Sequence, residues 1–462
     1  MEELLPETRR ALLHRIATVQ AEGRAPALVG AVVRDGRPVW LDARGTVHGQ
    51  RPTGDTQFRI GSLTKTFVAV MVMRLRDEGL VDLAEPVVRY LPDTGAKLRD
   101  GVGRATAHQL LSHTSGLAAE APGPWWERTP GELRPRLEDV VPEGPAPHPA
   151  GRRFHYSNPG YALLGALVEH VRGEDWAGVL RREVLEPLGM RRTSLKPRPP
   201  HAEGWAVHPW ADVLLAEAVQ ETGRMAPAGQ LWSTAEDLSR WAAFLAAGHP
   251  DVLSADTVAR MREPAAPSDP GTPASGYGLG LQTTCVDGRQ LVGHSGSMPG
   301  FVATLWLSTA DGLAGIALAN ATSGLAAAAL AADLVAVVAE REPRIPEEWR
   351  PLEDVDTRLL DLTGPWYWGA SPFVLRLKAD RSLELQPMDG KGRGSRFRAE
   401  PDGTWTGLDG YYAGEVLRVV QSPDGRVGHL DLGTFVFTRK PYAPAAPVPG
   451  GVDPRGWRGA SH

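Results

Sequence analysis

The sequence predicts an α+β protein: a large first domain with strands at both ends and helices between them, then a small antiparallel all-β domain. Three observations predict it. Strand-like runs stand near residue 30 and again between residues 290 and 319, with helix-patterned segments between. A charged, proline-bearing stretch, Arg341 to Leu352, then interrupts the chain. Beyond it, short alternating runs follow at near-regular spacing, divided by Asp-Gly turns. Strands from the two ends of one domain can pair into a single antiparallel sheet with helices on both faces.

Residues 3–22 read as an amphipathic helix. The alternating runs Ala27–Arg34 and Pro38–Ala43 are joined by Asp35-Gly36, a hairpin signal. A long apolar helix is expected from Ser62 to Glu78, with Gly79 as its stop. Residues 117–150 are loop-like, rich in Pro and Gly, and contain Trp125-Trp126. Helical patterns return at 158–172, 175–186 and 234–247, and strands at Gln290–Gly293, Phe301–Ser308 and Gly315–Ala319. An Ala-rich helix runs to about Glu340. In the last part, six runs alternate: Phe373–Leu377, Ser382–Gln386, Phe397–Glu400, Gly414–Gln421, Gly428–Leu432 and Thr434–Thr438. The expected limits are 1–345 for the first domain, 346–355 for a linker, 356–445 for a small barrel and 446–462 for a disordered tail.

Composition narrows the function. The 462 residues are 42% hydrophobic and 23% charged, enough for a sizeable core. Lys+Arg 50 against Asp+Glu 55 leaves no basic excess for a phosphate backbone, so nucleic-acid binding is not expected. The single Cys285 excludes an internal disulfide framework and a Cys-rich zinc site. His108 and His113 flank a helix end and read as structural, so neither a metal nor a cofactor is implied. P-loop, dinucleotide and HExxH signatures do not occur, and Gly293-His-Ser-Gly-Ser297 fails the Gly-x-Ser-x-Gly pattern. Arg9, Arg10, His14 and Arg15 break any apolar signal core, and Leu325–Ala339 is short for a membrane span and carries Asp333. These features point to a cytoplasmic protein with no membrane partner.

Three motifs carry chemistry. Ser62-Leu-Thr-Lys65 opens the long helix, where backbone N–H groups are unpaired and the dipole is positive. Positions i and i+3 share a helix face, so the amine can reach the hydroxyl and act as its base if burial and nearby cations lower the amine's pKa. With nineteen serines and six lysines, chance supplies this spacing roughly 0.25 times. Tyr156-Ser-Asn158 is rarer, about 0.035 chance occurrences, because the chain has eight Tyr and two Asn. A phenol near a lysine ammonium can lose its proton more easily and shuttle protons, and the Asn158 amide can orient Lys65 and a substrate carbonyl. The plain alternative is a helix cap, with Asn158-Pro159 opening the next helix. Third, His294-Ser-Gly-Ser297 follows an apolar strand. There Gly296 lets substrate backbone approach, and the Ser297 N–H can pair with that of Ser62 as an oxyanion hole.

Together these residues resemble the serine β-lactamase/penicillin-binding-protein superfamily, in its class C β-lactamase-like branch, over roughly residues 10–340. Further landmarks lie in the same order: Phe58-Arg-Ile-Gly61, the Asp82-Leu83 to Leu91-Pro92 stretch, His108 to Gly116, Phe154 to Leu164, Leu185 to Met190, Pro227-Ala-Gly229, Ser233-Thr234 and Gly276 to Gly280. The resemblance implies an antiparallel sheet flanked by helices with a helical subdomain, then a lipocalin-like barrel. It implies Ser62 as nucleophile and Lys65, Tyr156, Asn158 and His294 as catalytic partners. His294 stands where the superfamily's third motif usually has lysine; it is expected to assist the substrate end or tune Tyr156, and efficient β-lactam hydrolysis is not expected. Trp125, Trp126, Trp205 and Trp210 fall in segments that wall the cleft in this fold, where they either pack the loops or form an aromatic wall for a peptide. With no export signal, the chain most resembles stand-alone penicillin-binding-protein-type thioesterases, which take a peptide ending in a D-residue from a phosphopantetheinyl carrier protein of a nonribosomal synthetase and close it head to tail. A cytosolic esterase or D-stereospecific aminopeptidase using water is the alternative. A non-catalytic protein holding a lipid or peptide in the small barrel is a third reading, which the intact motifs disfavour.

Overall fold

The computed structural model describes residues 4–91, 102, 104–128, 137–141, 146–266, 275–322, 324–443 and 447. The chain divides into two compact units, Met1–Arg344 and Ile345–His462. The expected disordered tail falls, apart from Pro447, outside the described residues.

The first unit opens with helix α1 (Pro6–Glu22) and strands β1 (Ala27–Arg34) and β2 (Arg37–Gly45). Asp35 and Gly36 both take positive φ, 49° and 75°, the backbone that lets a two-residue turn match the twist of its strands. Helix α2 (Thr64–Asp77) is preceded by a 3₁₀ turn, Gly61–Leu63, and Gly79 follows it at φ 74°. Short strands β3 (Phe58–Arg59), β4 (Trp205–Val207), β5 (Leu214–Ala216) and β6 (Trp232–Ser233) form two small ribbons, β3–β6 and β4–β5. Helices α3 (Asn158–Arg172), α4 (Ala226–Gly229) and α5 (Ala235–Ala247) lie between the sheet's two halves in sequence. The sheet is completed by β7 (Ser275–Tyr277), β8 (Gln282–Val286), β9 (Arg289–Met298), β10 (Phe301–Ser308) and β11 (Leu313–Ala319), and α6 (Ala327–Arg341) ends the unit.

The sheet order is β2-β1-β11-β10-β9-β8-β7, so strands from the two ends of the unit pair antiparallel, Leu28 opposite Ala319 and Arg34 opposite Leu313. The side-chain period of two explains why β1 is buried on both faces. Ala27, Val29, Ala31 and Val33 join the core that contains α2, α3 and α5, and Leu28 and Val32 join α1 and α6 on the other side. Each fully buried Val or Leu contributes about 1.5–3 kcal/mol. Gly315 allows α6 to close onto the sheet: a Cβ there would lie 2.1 Å from the Ala331 carbonyl oxygen.

One strand differs from the expectation in a way that matters. Strand β9 runs to Met298 rather than ending at Gly293, so the His294–Ser297 motif lies within it. Pro299-Gly300, with Gly300 at φ 79°, turns the chain directly into β10 and carries the pairing to Met298–Phe301.

The second unit is a closed barrel of eight strands: β12 (Gly364–Trp368), β13 (Ser371–Leu377), β14 (Leu383–Pro387), β15 (Ser395–Ala399), β16 (Trp405–Gly407), β17 (Val416–Gln421), β18 (Val427–Leu432) and β19 (Phe435–Thr438). The sequence pattern reveals six of these. β12 carries Pro365 among consecutive aromatics, and β16 is three residues long, too short for a period to show. Trp366, Leu375, Leu383, Leu385, Phe397, Leu417, Leu430, Leu432 and Phe437 are all buried in one cluster, so side chains occupy the interior. That filling removes the reading of a barrel that carries a lipid or peptide inside. Among the described residues, no helix is long and apolar enough to cross a membrane.

Candidate active site

Ser62 sits in the 3₁₀ turn that leads into α2, and Lys65 is the second residue of that helix. The Lys65 side chain is fully buried. Its Nζ lies 3.0 Å from Ser62 Oγ, 2.7 Å from Asn158 Oδ1 and 2.7 Å from the Ala228 carbonyl oxygen of α4. Three acceptors match the three donors of an ammonium. Burial nevertheless lowers the Lys65 pKa from 10.5 to about 7, against the opposing pull of the Glu120 and Glu127 carboxylates. The neutral amine can still donate to Asn158 and Ala228, and its lone pair then faces the Ser62 hydroxyl. This is the geometry of a base beside a nucleophile. Burial, and not a neighbouring cation, is what lowers the amine's pKa.

The Tyr-x-Asn segment is positioned by the start of α3. Ser157, not Asn158, is the N-cap: its hydroxyl accepts from the Gly160 N–H at 3.2 Å, and Pro159 fits the first turn. Gly173, at φ 68°, ends the helix. Asn158 is thereby released to face Lys65. Tyr156 brings its ring 4.9 Å from Lys65 Nζ. Burial pushes the phenol above its ordinary range, while a hydrogen bond with the Ser62 side chain pulls the other way. The expected loss of the phenolic proton beside lysine is therefore reversed: Tyr156 is held protonated, as a donor.

Gly61 and Gly296 meet where β9 passes the 3₁₀ turn. A Cβ on Gly61, at φ 53°, would lie 2.6 Å from the Ser297 nitrogen. One on Gly296 would lie 2.0 Å from the Ile60 oxygen and 2.7 Å from the Ser62 nitrogen. No side chain fits between these backbones, and the nitrogens of Ser62 and Ser297 lie at that seam.

Of the two roles expected of His294, the geometry leaves no free ring nitrogen for the substrate end. His294 is buried, with Nδ1 against the Ser295 carbonyl and Nε2 2.9 Å from the Tyr277 hydroxyl. A carbonyl only accepts, so Nδ1 carries the proton and Nε2 accepts from Tyr277. Burial and the nearby Lys65 hold its pKa down at about 3, so it is neutral and supplies no cation for a substrate carboxylate. Both ring nitrogens are occupied, which places His294 behind the site as a positioning residue.

The tryptophans separate. Trp126 is half-buried; its ring lies against Gly229, 3.7 Å from where a Cβ would stand, and its Nε1 donates to Glu120 Oε2 at 2.7 Å. Trp125 is exposed, donates to Glu127 Oε2 at 2.7 Å, and carries the Arg128 guanidinium 4.1 Å over its ring. Trp205 is half-buried on β4. Trp210 is 90% exposed at the turn between β4 and β5, where its amide donates to His208 Nδ1. The structure ties Trp210 to that hairpin and not to the Ser62 constellation.

The family model described as Beta-lactamase matches residues 12–340, most of the chain. This chain belongs to the Beta-lactamase family. A second model, described as a domain of unknown function (DUF7586), matches residues 355–439, the barrel. Beta-lactamase-like protein 2 of Dictyostelium discoideum is 28% identical over 252 residues, 52% of this chain but 45% of that protein. Penicillin-binding protein 4 of Amycolatopsis lactamdurans is 28% identical over 327 residues, 66% of this chain and 84% of that one. The chain thus spans less than half of the first relative's length and most of the second's. The crystal structure of SurE with D-Leu matches with a TM-score of 0.58 and 26% identity, over 94% of this chain and 100% of that one. The superfamily is one of serine hydrolases and acyltransferases, and the Ser-x-x-Lys and Tyr-x-Asn pairs of this member are assembled around one lysine.

Glu120 escapes the sequence reading, and His113, read there as structural, packs directly behind the site. His113, at φ 56°, is buried among Tyr156, Tyr161 and Tyr277, with ring centroids at 4.2, 5.2 and 4.7 Å, and accepts the Ser157 N–H at Nδ1. Its burial keeps it neutral, well below its ordinary pKa. Glu120 sits in the Ala- and Pro-rich loop with no motif around it. It accepts from Asn158 Nδ2 at 2.8 Å and from the Trp126 indole. By taking the NH₂ end of the amide, Glu120 fixes the oxygen end toward Lys65. Its carboxylate also raises the Lys65 pKa. Glu120→Gln is expected to move the acid limb of the rate profile below pH 7. It should also lower kcat roughly 10-fold, the scale of one charge-assisted hydrogen bond. A profile that stays in place with lower kcat would reduce Glu120 to a loop-packing role.

Proposed function

We propose that this chain is a serine acyltransferase that takes a peptide from a carrier-protein thioester onto Ser62 and releases it by head-to-tail lactam formation. The observation that carries the acyl-transfer reading is the buried Lys65 amine, poised near neutrality 3.0 Å from Ser62 Oγ. Lys65 takes the hydroxyl proton as Oγ bonds to the thioester carbonyl, and the Ser62 and Ser297 amides stabilise the oxyanion. The C–S bond breaks, and the leaving thiolate is protonated through Tyr156. The peptide's own amine then attacks the seryl ester, a C–N bond replaces the C–O bond, and the proton returns to Ser62. Trp126 and the adjoining Trp125 offer the peptide an apolar wall. The likeness to SurE, solved with D-Leu and matched over both units, supports an acyl donor that ends in a D-residue. Carrier proteins of nonribosomal synthetases work in the cytoplasm, where we place this protein.

The test is mass spectrometry of products from a peptidyl thioester with a D-residue at its C-terminus. A Ser62-dependent product one water lighter than the linear acid is the expected result. Linear acid alone would give the acceptor role to water and make the chain a hydrolase of the same fold.

A further inference from the structure

The two ends of the barrel differ. At one end the connections β13–β14, β15–β16 and β17–β18 are short turns through Asp380, Asp402 and Asp424, whose carboxylates accept from their own turns. Among the described residues, no large hydrophobic is exposed in those turns. At the other end the last residue of β12, Trp368, and the β14–β15 and β16–β17 connections, with Met388, Leu408 and Tyr411, present side chains that are 40, 59, 44 and 56% exposed. Between them lies Arg393. Its guanidinium stands 4.0 Å over the Tyr411 ring, 5.1 Å from Phe435 and 5.9 Å from Trp368, and it hydrogen-bonds Tyr412.

The connections at this end carry Lys391 and Arg393 beside Asp389, Asp409 and Glu415, the last exposed next to Gly433. Asp409 is bound by Arg396 at 2.7 Å, and Asp389 accepts from the Lys391 backbone. Among the described residues, neither Arg393 nor Lys391 has a carboxylate within 4.0 Å. The Tyr411 ring, with Phe435 and Trp368 further off, holds the part-exposed Arg393 guanidinium in place, and its N–H edges match the two oxygens of a carboxylate. Two cations are too few for a lipid surface, which draws on clusters of roughly four to eight.

We propose that this end of the barrel binds a peptide segment carrying a carboxylate flanked by apolar side chains. Arg393 takes the carboxylate in a forked pair of hydrogen bonds, and Trp368, Met388, Leu408 and Tyr411 take the apolar neighbours. This site does not depend on the reaction at Ser62.

The test uses the full chain carrying Ser62→Ala, with fluorescein-labelled Leu-Glu-Leu-Glu-Leu followed by fluorescence anisotropy. Arg393→Gln is expected to weaken binding at least ~10-fold. Arg393→Lys, which keeps the charge but loses the fork, should fall between, and Tyr411→Ala should weaken binding several-fold. A Gln-substituted, amidated peptide should bind the parent as poorly as the labelled peptide binds Arg393→Gln. An unchanged melting temperature in Arg393→Lys separates these losses from unfolding. Equal affinity of parent and Arg393→Gln, equal affinity for the neutral peptide, or no binding by the parent each overturns the proposal. Arg393-dependent sedimentation with phosphatidylserine vesicles in place of peptide binding would overturn it in favour of a membrane.

Discussion

Ser62→Ala is expected to abolish turnover, lowering kcat at least ~10⁴-fold, and to eliminate any covalent acyl-enzyme detectable by mass spectrometry. No other side chain among the described residues is placed to replace the hydroxyl. Among the described residues, Ser62 Oγ is the one alcohol within hydrogen-bond reach of Lys65 Nζ, whose other two partners are an amide oxygen and a carbonyl. The fold should be unaffected, because Ser62 precedes α2 in a 3₁₀ turn whose backbone an alanine adopts without strain. The melting temperature should therefore stay within a degree or two of the parent. Preserved product release in this variant would remove Ser62 from the nucleophile's place.

Lys65→Ala is expected to cost kcat ~10³-fold or more, the upper part of what a positioned base contributes. The parent enzyme should show an acid limb near pH 7, with the rate rising as Lys65 loses its proton. Stability carries the same signature. The folded pKa of about 7 lies below the ordinary value of 10.5, so between those values the unfolded chain binds the extra proton. The parent should thus grow more stable as pH rises from 7 to 10.5, a trend that Lys65→Met removes. His294→Ala provides the contrast. His294 is neutral far above its pKa of about 3, so its loss should leave the acid limb near pH 7 and cost less activity than the loss of Lys65. If the limb near pH 7 vanished with His294 instead, the base would have to be reassigned to the imidazole.

Much of this protein could be read from the chain alone. Ser62 and Lys65 are three residues apart on a helix-forming run, and Tyr156 and Asn158 stand in a chain with only two asparagines, so local spacing identified the central four residues. The Asp35-Gly36 hairpin and the alternating runs after Leu352 are local signals too, and they led to the sheet's edge and to most of the barrel. The strands that went unseen, such as β3, β6 and β16, are two or three residues long and exist because partners elsewhere in the chain complete them.

What the tertiary structure decided are the quantities that depend on surroundings rather than on residue type. Burial, not spacing, brings Lys65 to about 7 and keeps Tyr156 protonated. The Tyr277 hydroxyl and the Ser295 carbonyl, one seventeen positions away and one adjacent, occupy both ring nitrogens of His294 and make it a neutral support. Glu120, invisible in its loop, acquires its place only when Asn158 folds against it across 38 positions. A motif states which groups can meet; the dielectric and the partners that set their protonation arise only when distant segments pack around them.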